Sequence, residues 1–539
     1  MPGDSCWPSD ADWAALNTTV RGNLIRTVPI GSICHTNQPF AEYDVAKCDA
    51  LRATWNVPDT HIGTSSSLAA PFFANQSCDP FSEPLSQCVI GTYVQYSVRA
   101  SSVSDYIAAI NFAKSRNIRL VIRNTAHDYH GRSTGAGALA IWTHHLKDIG
   151  VIDKFSSKYY SGKAMKFGAG VQFFEAYEAA KAKGLVVLGG NCPTVGIAGG
   201  YTQGAGTSLL GSRFGLSADQ VLAWEVVTAN GKLRTATPVE NQDLYWALSG
   251  GGGGTYGVVL SVTVKAYPDS NTSGAHLDFS NDGISQDAFY AAVSVYLKNT
   301  LRWIDAGAVG NFLLTENTFS VDPIIGYGLQ KSELDQLLEP TLKYLYQQGI
   351  KYNYTSKEFP NFLDAYNEMN VDTGVALFQI GGRIIPRSVV SQSVSLTEAL
   401  RTINSKGGII SGMSLNVGKK PYAANAVHPA WRETAISVVM GTLWSNTNWE
   451  QNIQNQKLMT NVLVPELDKV LAKSRSAPAA YSNNADWREP NWRSVFYGPN
   501  YSRLLAVKTK YDPLGLFWAR ISVGSEAWAE TAEGRLCRT

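Results

Sequence analysis

Two short stretches hold the residues whose types and spacing suggest chemistry. VIRNTAHDYHGRS, Val121 to Ser133, places His127 in a polar turn that leaves an apolar run. GLVVLGGNCPTVGIAGGYTQGAGTSLLG, Gly184 to Gly211, sets Cys192 among glycines with no second thiol nearby. An imidazole and a thiolate are both nucleophiles able to bond an electrophilic carbon. The glycines add a second capability: without a Cβ, a turn lets backbone N–H groups approach phosphate oxygens. Neither stretch is a common phosphate motif. Gly204 and Gly206 have the first spacing of G-x-G-x-x-G, but position 209 is Leu, and no Gly-Lys-Ser/Thr closes any run. Asp128, His130, His144 and His145 invite a metal reading beside His127, yet the cluster lacks HExxH or CxxC spacing, so no metal is expected.

Cys192 stands apart from the other thiols. Of seven cysteines, Cys6, Cys34, Cys48, Cys78, Cys88 and Cys537 lie near the chain ends. An even set suits three disulfides whose pairing the sequence leaves open, with Cys537 expected to tie the C-terminus to the N-terminal region. Disulfides need an oxidising compartment. Asn17, Asn75, Asn271, Asn353 and Asn500 each head an N-x-Ser/Thr triplet, and the opening MPGDSCWPSD reads as a mature secreted start behind an added Met. A secreted protein is therefore expected. A lone Cys192 also has a plain reading as a small buried core thiol.

Composition bounds the function classes. The chain has 539 residues, 44% hydrophobic and 17% charged, with a formal net charge of +2. That balance gives no electrostatic case for nucleic acid or an acidic membrane surface. No apolar run is long enough to span a bilayer, and nothing suggests more than a monomer. The length implies two or more domains.

The elements that must position the two nucleophiles follow from periodicity. Residues 1–88, rich in Cys, Pro, Asp and Asn, read as a stapled segment with a few short helices. YVQYSV alternates as a strand, VSDYIAAINFAKSRN has helical spacing with Ser104 as N-cap, and IRLVIRN is a buried strand. Strands and helices alternate onward, so residues 89–268 are expected to form an α+β domain. LAWEVVTANGKLRTAT reads as a hairpin around Asn230-Gly231, and DLYWALSGGGGGTYGVV as a short helix, five glycines and a strand. Pro268 to Gly274 reads as a linker. Beyond it, ISQDAFYAAVSVYLKNTLRWIDA and SELDQLLEPTLKYLYQQG are helices and VALFQIGGRII a strand, giving a second α+β domain over 269–484. Residues 485–539 add an aromatic strand and a helix over SRLLAVKTKY, packing back on the first domain.

In combination, RNTAHDYHGRS, GGNCPTVGIAGGYTQGAGTSLLGSRFGLSADQVLAWEVVTANGKL, DLYWALSGGGGGTYGVV and FYGPNYSRLLAVKTKYDPLGLF resemble the berberine-bridge-enzyme-like branch of the vanillyl-alcohol-oxidase flavoproteins. Among subgroups the chain looks most like secreted fungal isoamyl-alcohol-oxidase-like enzymes. The resemblance implies an α+β fold with a PCMH-type FAD-binding domain and a substrate domain carrying an antiparallel sheet. It implies that FAD is linked twice, by His127 to the 8α-methyl carbon and by Cys192 to C6. It further implies that Arg123, Asn124, Thr125, Ala126, His127 and Asp128 turn over the pyrophosphate, with Ser133 close by. Thr194, Val195, Gly196, Gly199, Gly200, Gln203, Gly204, Gly206 and Ser208 would wrap pyrophosphate and flavin. Gly257 and Val258 would meet the adenine or ribose side, and Tyr497 and Asn500 would return across the flavin, with Asn500 buried and unglycosylated. Ala126 and Ala205 replace glycines of the pattern, and Thr207 stands where related chains often carry histidine; methyls at the two turn positions are tolerable where φ is negative.

A FAD enzyme of this kind moves a hydride from a substrate carbon to the cofactor, while the protein positions the C–H bond and removes a proton. Val195, three residues after Cys192, is small at the position where plant members gate O2, which favours an oxidase giving H2O2. Candidate proton acceptors and electrostatic helpers are Tyr201, Arg383, Tyr422, His428 and Tyr497. The substrate class is a small-molecule alcohol, sugar or secondary-metabolite hydroxyl. An oxidative cyclase or dehydrogenase of a natural-product pathway, and a non-enzymatic glycoprotein retaining the flavin domain, are the alternatives.

Overall fold

The computed structural model describes residues 1–37, 39–40, 42–371, 374–419 and 424–539. The turn carrying His127 leaves the strand Leu120–Arg123, buried at three of its four positions. That strand pairs in parallel with Leu139–Trp142, which pairs in parallel with Tyr96–Arg99; the antiparallel Leu24–Arg26 completes the four-stranded sheet. The helix Val103–Ser115 crosses over from Tyr96–Arg99 to Leu120–Arg123, the two strands that flank Leu139–Trp142. Its apolar stripe, Tyr106, Ala109, Ile110 and Ala113, packs with Val98, Leu120 and Ile141. The helix starts before the expected Ser104. The Asp105 carboxylate accepts from the Ser101 N–H (2.9 Å) and the Ser102 hydroxyl (3.0 Å), which fixes Ser102 at the cap position.

A five-stranded antiparallel sheet stands beside it in the order Ile149–Ser156, Ser161–Gly168, Val258–Lys265, Val221–Val227, Leu233–Ala236. The last two form the expected hairpin, with Gly231 at φ +73°.

The second unit is a seven-stranded, wholly antiparallel sheet ordered Tyr352–Phe359, Thr272–Ser280, Thr318–Tyr327, Val309–Leu314, Ile409–Ser414, Thr434–Leu443, Phe378–Pro386. The strand Thr272–Ser280 begins inside the stretch expected as a linker. The helices Gln286–Asp305, Lys331–Gln347, Ser393–Ser405 and Val464–Lys473 cover one face. Phe289, Val293, Tyr296 and Trp303 pack there with Phe312, Val321, Val438 and Met440, residues at alternate positions of their strands. The other face is free to form a site.

Arg493–Tyr497 is a π-helical turn, not the aromatic strand expected from sequence; so short an apolar run does not separate the two. The helix Tyr501–Tyr511 does form. Its buried Lys508 donates to the carbonyls of Thr255 (2.8 Å) and Phe517 (2.7 Å) and to Asp512 (2.6 Å), fixing the tail to the first unit.

Disulfides join Cys34 to Cys48 and Cys78 to Cys88. The third expected bridge is absent: Cys6 and Cys537 are exposed thiols, and the C-terminal segment meets the N-terminal one through an Arg535–Asp4 ion pair at 2.8 Å. Among the described residues no helix is long and apolar enough to cross a membrane.

Candidate functional site

A cavity of about 580 Å³ lies between the glycine-rich turns and the free face of the seven-stranded sheet. That is an ordinary size for a ligand site, roughly 300–1,000 Å³. The two sequence-predicted nucleophiles meet on its wall. His127 Nε2 lies 2.8 Å from Thr194 Oγ1, and Cys192 Sγ lies 3.4 Å from the same oxygen. One hydroxyl thus touches both, and Cys192 takes no part in a disulfide. His127 faces the cavity but is otherwise enclosed by protein. Burial, with a smaller contribution from nearby His61, lowers its pKa to about 4, so the imidazole is neutral at neutral pH. The turn is held by Asp128, which accepts from the N–H groups of His130 (3.0 Å) and Arg132 (2.7 Å) and pairs with the Arg132 guanidinium at 2.5 Å.

The surrounding wall is backbone in close approach. A Cβ added at Gly196 would lie 2.1 Å from Asn124 Nδ2, and one at Gly253 would lie 2.7 Å from the Gly200 Cα. Gly200 and Gly254 by contrast have nothing within 4 Å of that position, so their bare faces border open space. The two alanines that replace glycines do not have the negative φ expected: Ala126 sits at +58° and Ala205 at +119°. The first is left-handed; the second lies beyond the left-handed well and is strained for any residue with a Cβ.

Asn124, Asn191, Gln203 and Asn483 line the cavity and each holds a buried side-chain oxygen without a hydrogen-bond partner. Buried acceptors are costly unless a donor arrives. FAD offers such donors in its ring N–H and in its ribityl and ribose hydroxyls, and the cavity has the glycine-bordered space that a dinucleotide needs. The residues present fit that cofactor.

The opposite wall is made of side chains. Asn311, Leu313, Ser320, Asp322, Ser411, Met413, Ser437 and Val439 project from four neighbouring strands, alternating with core residues. Asp322 owes its place to a bulge. Ala275 pairs with Ile324 and Leu277 with Val321, so Asp322 and Pro323 oppose His276 alone. On the other side Gly310 pairs with Ile324 and Phe312 with Val321, leaving Asn311 opposite the same two residues. A bulge re-aims side chains and is where a proline fits inside a sheet. Asp322 Oδ1 then lies 2.6 Å from His276 Nδ1.

Of the residues named from sequence, Asn124, Thr125, Ala126, His127, Asp128, Ser133, Cys192, Val195, Gly196, Gly199, Gly200, Tyr201, Gln203 and Gly257 line the cavity. Others sit behind it. Arg123 is buried and donates to the carbonyls of His61 (3.2 Å) and Thr64 (2.9 Å). Gly204 abuts the Asn483 side chain, Gly206 abuts Ser217 and Tyr201, and Ser208 and Val258 are buried. Asn500 spends its amide on the carbonyls of Ala426 and Val427, both at 3.2 Å. Arg383, offered as an electrostatic helper, is buried between Asp468 (2.6 Å) and Glu489 (2.9 Å) and does not reach the cavity. His428 caps a turn, accepting from the Ala430 N–H at 3.1 Å, and Tyr497 is packed among Trp492, Phe496 and Tyr501. Tyr422 lies outside the described residues. Sequence reasoning missed Tyr129, Arg132, Tyr481, Asn483 and the sheet face; Gly253 and Gly254 lay in a run it noted without assigning.

The two walls are joined beside the sulfur. The Asn191 carbonyl, one residue before Cys192, accepts from the Tyr366 hydroxyl and from Asn370 Nδ2 (2.8 Å), both supplied by the helix Phe362–Met369 and its end.

Comparison with known proteins agrees with this architecture. Residues 94–237 match the FAD binding domain family and residues 480–524 the berberine and berberine-like family. The FAD-linked oxidoreductase ZEB1 of Gibberella zeae is 48% identical over all of this chain and 94% of its own length. A crystal structure of the VAO-type flavoprotein MtVAO615 from Myceliophthora thermophila C1 superposes with a TM-score of 0.96 at 39% identity, covering 100% of this chain and 99% of that one. Berberine bridge enzyme from Eschscholzia californica shares the fold, with a TM-score of 0.70 at 14% identity over 95% of this chain and 98% of its own. The chain belongs to the berberine-bridge-enzyme-like branch of the VAO-type FAD-linked oxidoreductases.

Proposed function

We propose that the chain is a secreted oxidase that holds FAD through both His127 and Cys192 and oxidises a CH–OH group of a small molecule, passing the electrons to O2 as H2O2. The observation that carries the reading is the convergence of an imidazole and a thiol from separate turns on one hydroxyl at the cavity wall. Bound FAD supplies hydride acceptance and electron transfer to oxygen. The protein's part is to seat the cofactor against bare backbone, present the substrate from the sheet face and take its hydroxyl proton. Asp322 is our choice for that proton: it is a carboxylate on the sheet face, braced by His276 and reachable from the cavity. Tyr201 suits donation instead, since desolvation holds its phenol well above the ordinary range and its hydroxyl donates to the Thr207 carbonyl at 2.7 Å. The mixed polar and apolar lining of Ser320, Ser411, Leu313 and Met413 suits an alcohol with an apolar body. Val195 lines the cavity, and its small side chain there supports O2 use. The two disulfides support secretion.

The test is a panel of aliphatic, benzylic and sugar alcohols, read by anaerobic bleaching of the flavin and by peroxide in air. Bleaching with peroxide is the expected result. Bleaching without peroxide would select the dehydrogenase or cyclase alternative, and flavin released by acid precipitation would overturn the double attachment.

A further inference from the structure

We propose that Thr194 is a positioning residue for covalent attachment, its hydroxyl relaying the Cys192 thiol proton to His127 Nε2. The inference rests on the double attachment proposed above and assigns a part that neither nucleophile supplies. A hydroxyl has one proton to give and two lone pairs. Placed 2.8 Å from Nε2 and 3.4 Å from Sγ, it can accept from one neighbour while donating to the other. Its position is fixed. The Thr194 carbonyl accepts from Gln172 Nε2 (2.8 Å), and Gln172 is itself held by Lys147 (3.0 Å) and by Glu175 (2.8 Å). The β-branched side chain adds few rotamers of its own.

The geometry also orders the steps. Thr194 occupies Nε2, while His127 Nδ1 makes no hydrogen bond among the described residues, so Nδ1 is the atom open to carbon. In the first attachment an imidazole N–H and a C–H of the 8-methyl group break, an N–C bond forms, and O2 takes two electrons and two protons as H2O2. Nε2 is then left with a lone pair and no hydrogen. It can receive the thiol proton through Thr194, so that Cys192 bonds as thiolate. In the second attachment S–H and C6–H break, an S–C bond forms, and a second O2 leaves as H2O2. A second O2 is thus required, and it is the same oxidant the oxidase reading names.

The full-length chain is expressed as wild type, Thr194→Val and Thr194→Ser. Acid-precipitated protein is examined by intact and peptide mass, and iodoacetamide under denaturing conditions scores whether Cys192 remains a thiol. Removing a proton relay slows the step on the order of 100-fold. Wild type and Thr194→Ser are expected to carry flavin on both peptides, and Thr194→Val on the His127 peptide alone with Cys192 alkylated. Should Thr194→Val prove insoluble, Thr194→Ala takes its place. Both links at wild-type proportion in the hydroxyl-free variant, no link in it at all, or loss of the sulfur link in Thr194→Ser would overturn the relay. A wild-type chain with neither link would instead overturn the attachment reading itself, which keeps the two failures apart.

Discussion

The cavity's two walls are built on different principles. The wall around His127 and Cys192 is a matter of backbone: glycines that admit no Cβ, an Asx-type turn at Asp128, and alanines at φ +58° and +119°. The sheet wall is a matter of side chains, set at every second position along regular strands and varied by a single bulge. A wall made of backbone conformation resists change, because altering one residue moves the chain. A wall made of strand side chains can be rewritten one residue at a time while the sheet stays put. The first wall therefore suits an invariant cofactor and the second a variable substrate.

Substitutions sharpen the contrast by where their effects appear. The largest is expected on the sheet: Asp322→Asn should lower kcat by roughly 10²–10⁴ with little change in melting temperature, as measured by stopped-flow reduction beside a thermal melt. A matching loss of stability would mean that the pair with His276 merely stitches the bulge. On the cofactor side the effects should fall on folding. His61, buried against Trp55 and Ser67, has its pKa lowered to about 4, chiefly by burial. The unfolded chain takes up that proton near pH 6.5, the folded chain only near 4. Stability is therefore lost as pH falls through that window, by up to about 3 kcal/mol. His61→Gln should flatten that part of the denaturation profile, and an unchanged slope would exclude His61 as its source.

Smaller still, Gly253→Ala should cost about 1–3 kcal/mol, since its methyl would meet the Gly200 backbone, and should lower the flavin incorporated per chain, read from absorbance of the purified protein. Ala205→Gly runs the other way and should stabilise by about 1 kcal/mol through relief of the positive φ. A melt in which Ala205→Gly destabilises would show that the methyl's packing outweighs its strain.

The same division explains what could be read from the chain. Backbone chemistry leaves marks in sequence: the Asn230-Gly231 turn marked its hairpin, and the glycine clusters with the solitary Cys192 pointed to one wall of the cavity. The sheet wall left only alternation, which gives strands without saying which face meets a ligand. Asp322 precedes a proline, a pair that ordinarily marks a turn, yet it lies within the strand Thr318–Tyr327. Arg383 looked available because Asp468 and Glu489, which neutralise it, are remote in sequence. His428 likewise meets its partners only after folding. The disulfide staples were legible as a class, but the sequence left their pairing open, and the bridge expected from Cys537 to the N-terminal region does not form because no spacing rule sets the distance between remote thiols.

The Asn191 carbonyl, gripped from the far half by Tyr366 and Asn370, gives the sulfur-bearing loop a mechanical role. A rocking motion that parted the two halves would tug directly on the residue beside Cys192. Loosening that grip, as in Asn370→Ala, would therefore be felt first at the loop that carries the thiol.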